Sequence, residues 1–486
     1  MRFSLLLVLF GSLLVVSTVM AATHVEIGED VYGDLARLDA EGFLPGSLLS
    51  TKPLNRMEVM RLLLEAESSP PPDGTIARAT LRRLRDRFPE ETREILYIKP
   101  LDRARASFTY LDSASQALNY NNNGYEYREG SNLRVDVATR VEWSWFSGYA
   151  RPEYRLSDGD GTFTLRTVYV SVEALGVELT AGRESLWWGP GYHGALLESN
   201  NAEPITMLRL TNPRAALLPW IFRFLGPFRF DFFAGRLEDD RQDVASPILW
   251  GLRFDLKPLP YLEIGLERTV IFGGEGHDEG WSAWWKSVTA RGENDPGKDT
   301  GDQKAGMDIK VTIPWKVQPV QLYAEVAGED SAGWEPSRRG YLGGIYLPRI
   351  LGSDRVDFRS EFAYNHVKQQ PNYWYNHHIY TQGYTYKGRI IGHHMGTDSR
   401  DLFAAASISV SPLLEKISVY FDREEHNLSF SVRETKDEIG VGVTLRPGSD
   451  IDLKVFYRNA RVKNMGNVSG ASENLSQVSA EVQYAF

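Results

Sequence analysis

The chain has 486 residues, with 64 acidic against 54 basic side chains and a formal charge of −10. That acidic balance excludes a nucleic-acid partner, which calls for basic surface. The absence of cysteine excludes a disulfide-stapled secreted scaffold, and the length exceeds what one soluble core spans unless a large closed barrel carries it.

The first residues, MRFSLLLVLFGSLLVVSTVMAA, read as a secretory signal peptide over 1–22. Arg2 gives the positive start, residues 5–16 the apolar stretch, and Val19-Met20-Ala21 the small-residue cleavage site. The apolar run is short for a spanning helix, and no second long apolar run follows.

Residues 23–98 read as a small helical bundle. Val31, Leu35 and Leu38 recur at helical spacing ahead of the stop signals Gly42 and Pro45. A second helix is expected over 54–66, through Met57, Val59, Met60, Leu63 and Leu64. SSPPPDG (68–74) makes a turn, and an arginine-rich third helix over 76–88 ends at Pro89. A solvated surface and a docking surface explain Arg78, Arg82, Arg83, Arg85 and Arg87 equally well.

Beyond residue 98 the period changes to two. Leu133, Val135, Val137, Thr139, Val141, Trp143 and Trp145 alternate with Asn132, Arg134, Asp136, Ala138, Arg140 and Glu142. The pattern returns around Leu262, Ile264 and Leu266, around Val356, Phe358 and Phe362, and around Leu453, Val455 and Tyr457. A soluble sandwich shares this alternation. Aromatics at the ends of the apolar faces and dense charge on the polar faces favour a membrane barrel. The final VSAEVQYAF puts Val478, Ala480, Val482, Tyr484 and Phe486 on one face, resembling the signal that outer-membrane barrels present to their assembly machinery. The fold class is therefore mainly β. It is a transmembrane antiparallel β-barrel over 99–486; sixteen to nineteen alternating runs and the even strand numbers of single-chain barrels give about 16–18 strands, 18 favoured. Such a barrel encloses an aqueous lumen unless loops fill it.

GRESLWWGPGYHGALLESNN (182–201) fits neither a helix nor a strand interior. Gly189-Pro190-Gly191 can turn tightly and fold 184–203 back into the lumen as a plug that includes Asn200 and Asn201. Trp187, Trp188 and Tyr192 then either fill the barrel or stack on sugar rings. Arg183, Glu184 and Glu198 suit loop-fixing ion pairs. In 273–303, the longest expected loop, Trp281, Trp284 and Trp285 fall at i, i+3 and i+4. They form a binding platform, a membrane-surface anchor or the core of a folded loop.

Catalytic chemistry is not expected. No P-loop, dinucleotide fingerprint or nucleophile elbow occurs, so the reading is no enzyme and no cofactor. Asp158-Gly159-Asp160-Gly161 reads as a hairpin turn. No metal is expected at His377-His378 or His393-His394, because adjacent residues on a strand point to opposite faces.

Trp187-Trp188-Gly189-Pro190-Gly191, followed by Ser199-Asn200-Asn201-Ala202, resembles the signature of the capsule assembly protein Wzi family. YTQGYTYKGRIIGHHMGTDSR (380–400) and the helical stretch 34–66 are similar to the family as well. The resemblance implies an outer-membrane, lectin-like, non-catalytic barrel that binds or organises surface polysaccharide. It also implies closure by the barrel's own loops and a bundle on the periplasmic side. On that reading Trp187, Trp188, Tyr192, Trp281, Trp284 and Trp285 are the glycan-binding candidates. The partners are surface polysaccharide, outer-membrane lipid and the barrel-assembly machinery, with the chain a monomer. A general or sugar-selective porin is the alternative.

Overall fold

The computed structural model describes residues 21–486 apart from 89–95, 116, 290–300, 330, 333, 334, 337, 369, 371, 412 and 449. Residues 1–20 of the expected leader, the Pro89 stop and part of the 273–303 loop lie outside the described residues.

Eighteen long antiparallel strands close into one barrel. They begin with β1 (Leu96–Leu111), β2 (Gly130–Trp143), β3 (Phe146–Ser157), β4 (Asp160–Ala174), β5 (Val177–Glu184) and β6 (Ile205–Thr211). Next come β7 (Pro227–Arg236), β8 (Ile248–Leu259), β9 (Leu262–Phe272), β10 (Gly301–Ile313), β11 (Val320–Glu329) and β12 (Arg339–Leu347). The wall ends with β13 (Val356–Tyr364), β14 (Arg400–Ser409), β15 (Leu414–His426), β16 (Glu434–Leu445), β17 (Ile451–Lys463) and β18 (Ser472–Ala485). Each pairs with its neighbours in sequence, and β18 closes on β1 from Gln477↔Leu111 to Ala485↔Arg103.

The side-chain alternation is inverted relative to a soluble sandwich. Val135 on β2 is 43% exposed while the next residue, Asp136, is 2% exposed. Leu133, Val137, Val455, Tyr457, Val478 and Val482 likewise face outward. Outward apolar residues suit hydrocarbon, and the charged faces line the lumen. No helix is long and apolar enough to cross a membrane among the described residues.

One end carries tight turns, such as 144–145, 175–176 and 260–261. The other carries the long connections 112–129, 185–204, 273–300 and 365–399. The longest is 365–399, not 273–303 as the sequence suggested. Residues 301–303 already belong to β10, and 365–399 lacks any period-two pattern; among its described residues only Thr385–Tyr386 and Arg389–Ile390 form a strand pair.

The bundle sits at the tight-turn end. Its helices are α1 (Asp30–Ala40), α2 (Arg56–Ser68) and α3 (Ile76–Arg87). α2 starts two residues later than its periodicity predicts, because Leu54–Asn55 pairs with His24–Val25 and Asn55 Oδ1 caps the helix by accepting from Met57 N at 2.9 Å. Val31, Leu35, Leu38, Leu62, Leu63, Leu81 and Leu84 form a dry core shared by all three helices. The arginines of α3 divide: Arg78 and Arg82 pair with Asp73 in the turn before the helix, and two others reach further. Arg83 pairs with Asp34 and, at 2.8 Å, with Glu415 of β15, and Arg87 pairs with Glu29 at 2.6 Å. Arg37 donates to Pro348 O at 3.0 Å, and Arg446 holds Asp30 at 2.9 Å.

Residues 43–55 rise from α1 into the lumen as a finger. Ser50 N donates to Glu263 at 3.0 Å, and Thr51 Oγ1 accepts from Arg253 at 2.7 Å. The stretch ahead of α1 is pinned as well. His24 lies between Glu184 (Nδ1, 2.7 Å) and Glu178 (Nε2, 2.7 Å), stacked on Tyr169. Burial works to lower the His24 pKa, but the two carboxylates outweigh it and hold the imidazole up at about 9. This folded-state value lies above the ordinary one. The stabilisation is therefore complete below about pH 6.5 and is lost as pH rises through about 9. Protease sensitivity of the segment before α1 should rise across that window. His24→Gln should make it sensitive at all pH values, at a cost on the order of 2 kcal/mol. A pH-independent cleavage pattern in the wild type would refute the pairing.

Candidate functional site: the filled lumen

The segment 185–204 leaves β5 at the long-loop end and descends into the barrel. Trp187–Trp188 meets the finger and pairs antiparallel with Thr51–Lys52, Trp188 opposite Thr51 and Trp187 opposite Lys52. Gly189 N extends the ladder to Ser50 O at 2.8 Å. A plug from one mouth and a finger from the other thus share a two-stranded ladder inside the lumen.

Two carboxylates of the wall catch the turn that follows. Glu361 on β13 accepts from the amides of Tyr192 (2.8 Å), His193 (3.1 Å) and Gly194 (3.0 Å). Glu325 on β11 accepts from Leu196 N at 3.0 Å and Gly191 N at 3.3 Å. This explains the glycines. Gly189 has φ +120°, and a Cβ there would collide with Glu325 Oε1. A Cβ on Gly191 would collide with the carbonyl of Gly194, and one on Gly194 with the His393 ring.

The tryptophans are structural in this state. Trp188 is fully buried, packs edge-on against Phe233 at 5.3 Å and donates Nε1–H to Asp231 at 3.2 Å. Trp187 is buried beneath the Lys52 ammonium, 4.9 Å from its ring centroid. Tyr192 is half exposed, but it faces inward. It carries Arg359 over its ring at 4.4 Å and lines a cavity of about 1100 Å³ between plug and bundle, together with Asp30, Lys52, Lys310, Tyr346 and Lys416.

Ser199, Asn200 and Asn201 fasten the plug to its neighbours. Ser199 N donates to Ile391 O at 3.0 Å, Asn201 Nδ2 to Ile390 O at 2.9 Å and Asn200 Nδ2 to Asn121 O at 3.2 Å. Three long connections therefore meet at this motif: 112–129, 185–204 and 365–399.

The expected ion pairs are met at one of three positions. Glu184 holds His24 and Arg209 (3.3 Å). Arg183 reaches the hydroxyl of Thr206 at 3.4 Å. Glu198 has no ion-pair partner among the described residues and instead accepts from the Tyr384 hydroxyl. Burial pushes its pKa well above the usual carboxylate range against the opposing Tyr384 hydroxyl, which donates to it at 3.0 Å.

At the rim, Trp281 to Thr289 is helix α4 (Trp281–Thr289). Its three tryptophans do not share a role. Trp284 packs edge-on against Phe272 at 4.8 Å, whereas Trp281 is 82% exposed and Trp285 44% exposed. Trp281 and Trp285 are the candidate aromatics that remain available at the long-loop end.

The histidine pairs are not on strands, contrary to the sequence reading. Both lie in 365–399, and a turn there directs His393 and His394 toward one side. They converge with His193 from the plug and with Asp401 and Asp422 from β14 and β15. The sequence reading missed this cluster because the turn cannot be seen in residue spacing.

The sequence profile of the capsule assembly protein Wzi family matches residues 102–476. An uncharacterized 55.8 kDa protein in the cps region of Klebsiella pneumoniae is 29% identical over 350 residues, which is 70% of this chain. The match spans 65% of that relative's length. Among solved structures, Wzi of Escherichia coli is 23% identical, with a TM-score of 0.76 over 96% of this chain and 100% of that one. That protein is described as an outer-membrane, carbohydrate-binding β-barrel involved in group 1 capsule assembly. The match to the family profile covers most of the barrel, including the plug motif and the loop that fastens it, and this chain belongs to the capsule assembly protein Wzi family.

Proposed function

We propose that this protein holds capsular or related surface polysaccharide at the outer membrane through its long loops, without transforming it. The observation that carries this reading is the filled lumen. The ladder between Trp187–Trp188 and Thr51–Lys52 crosses the interior, with wall carboxylates gripping the plug backbone on one side of it. A porin needs a continuous aqueous path, and a plugged barrel suits a surface-facing role. Family membership supports polysaccharide as the ligand class. The carbohydrate binding of the Escherichia coli protein and the cps context of the Klebsiella relative agree with it.

The orientation follows from loop lengths. Tight turns and the bundle face the periplasm, and long connections face outward. The leader over 1–22 directs export, and the outward face with Phe486 at its end serves outer-membrane lipid and the assembly machinery. The chain acts as a monomer. Sugar stacks on the exposed faces of Trp281 and Trp285, where C–H faces meet an indole ring. The absence of a catalytic role is supported by the carboxylates of the plug region, since Glu184 is occupied by ion pairs and Glu198 by Tyr384.

Two results test this reading. In a planar bilayer the mature protein should be closed, and deletion of 185–200 should open it. Glu184 and Ile205 already face each other across β5 and β6, so residues 201–204 suffice as the connection. A wild type that conducts freely, with sugar blocking the current, would make it a porin. In a glycan-binding assay with the host's surface polysaccharide, Trp281→Ala combined with Trp285→Ala should weaken binding about 5–10-fold at unchanged melting temperature. Trp188→Ala should instead lower the melting temperature. Unchanged affinity in the double variant would move the sugar site elsewhere.

A further inference from the structure

His193, His394, Asp401 and Asp422 converge from four different segments. The plug supplies His193, the connection 365–399 supplies His394, and strands β14 and β15 supply the carboxylates. Side-chain exposure is 8% for His193 and 2% or less for the other three. His193 Nε2 lies 3.5 Å from Asp422 Oδ1 and 3.6 Å from Asp401 Oδ2, and His394 Nε2 lies 3.4 Å from Asp401 Oδ2.

Those separations are longer than the usual hydrogen-bond range of about 2.7–3.2 Å. They match ligands of a common ion. Bonds of about 2.0–2.1 Å at tetrahedral angles set neighbouring ligand atoms about 3.3–3.4 Å apart. Hydrogen bonding agrees, because Nε2 of both histidines and both oxygens of both aspartates are buried with no hydrogen-bond partner. Buried polar atoms without partners are costly, and four of these, His193 Nε2, His394 Nε2, Asp401 Oδ2 and Asp422 Oδ1, lie close together. Charge points the same way. The nearest ammonium, Lys436, lies 3.4 Å from Asp422 and is shared with Glu424 and Glu438. Asp401 and Asp422 are left as a carboxylate pair that lacks an adequate countercharge.

The rings are held in place before any ion arrives. His193 stacks on Phe403 at 4.0 Å, and His394 stacks on Tyr120 at 4.6 Å. His393 falls outside the set. Its Nδ1 accepts from Met395 N at 3.2 Å, which places its proton on Nε2. Asn121 Nδ2 lies 3.2 Å from His394 Nδ1, so binding through His394 Nε2, which leaves the ring's proton on Nδ1, requires the Asn121 amide to turn its oxygen toward the ring.

We propose that His193 Nε2, His394 Nε2, Asp401 and Asp422 bind one divalent transition-metal ion, zinc foremost, and that this ion staples the plug and the 365–399 connection to the barrel wall. Two imidazoles and two carboxylates make a tetrahedral N₂O₂ set of the kind zinc takes. With four protein ligands and no open position, the site is structural rather than catalytic.

The test uses the full mature protein, purified through a tag without histidines and in buffers free of chelator. Elemental analysis should find about one metal equivalent per chain. Protein stripped with EDTA and reloaded with Co²⁺ should show the visible absorption of tetrahedral cobalt, and its melting temperature should rise by several degrees. His193→Ala and His394→Ala should abolish the band, while His377→Ala, on the same connection, should keep it. No metal in the isolated protein together with no cobalt band would overturn the proposal and leave an imidazolium–carboxylate network. A band that survives in both histidine variants would overturn it too, because the ion would then sit elsewhere. Because the wild-type measurements decide the matter alone, a variant that fails to fold does not obscure the result.

Discussion

The constraint on which this structure depends is charge facing inward in a space too wide for side chains to fill. Eighteen strands of alternating character turn their apolar residues to lipid and so commit every other residue to the lumen. The result is a wall of buried ions. Arg253 is held by Asp255, Glu267 and Asp308, and Arg209 by Asp231 and Glu184. Water could satisfy such a wall, and the barrel would then conduct. Here main chain satisfies much of it. Glu325 and Glu361 spend their oxygens on plug amides, Glu263 on the finger and Arg229 on the carbonyls of Thr51 and Pro53. The sequence of the wall therefore presupposes the sequences that fill it.

This sets how much was legible in advance. The barrel was readable because period two is a local property, and Val135 beside Asp136 states the two environments of the wall directly. Counting such runs and parity narrowed the barrel to about 16–18 strands, and it has eighteen. The plug was partly readable. Gly189-Pro190-Gly191 announces a turn, but the need for glycine comes from Glu325, a residue far along the chain. Packing of Trp187 and Trp188 was one of two readings open in the sequence, but which residues they pack on was not legible, because their partners Lys52, Asp231 and Phe233 lie far along the chain. The histidines failed for a sharper reason. The sequence reading gave His393-His394 the geometry of a strand, and a turn replaced it. Strand alternation is a sound argument only where period two holds, and 365–399 does not show it.

Division of labour within the aromatic residues follows the same logic. Residues matched by wall partners are locked, and those at the rim are free. Trp284 is spent on Phe272, while Trp281, one turn earlier on the same helix, is exposed. A single short helix thus supplies both its own anchor and an outward ring.

The ladder between Trp187–Trp188 and Thr51–Lys52 joins elements from the two mouths of the barrel by backbone hydrogen bonds. The finger is continuous with α1 and α2, and the plug is fastened through Ser199–Asn201 to two outer connections. The barrel therefore has a mechanical axis. A load applied to the helices must either shear a pair of short strands or travel to the long connections, so a pull at one mouth is felt as slack or tension at the other.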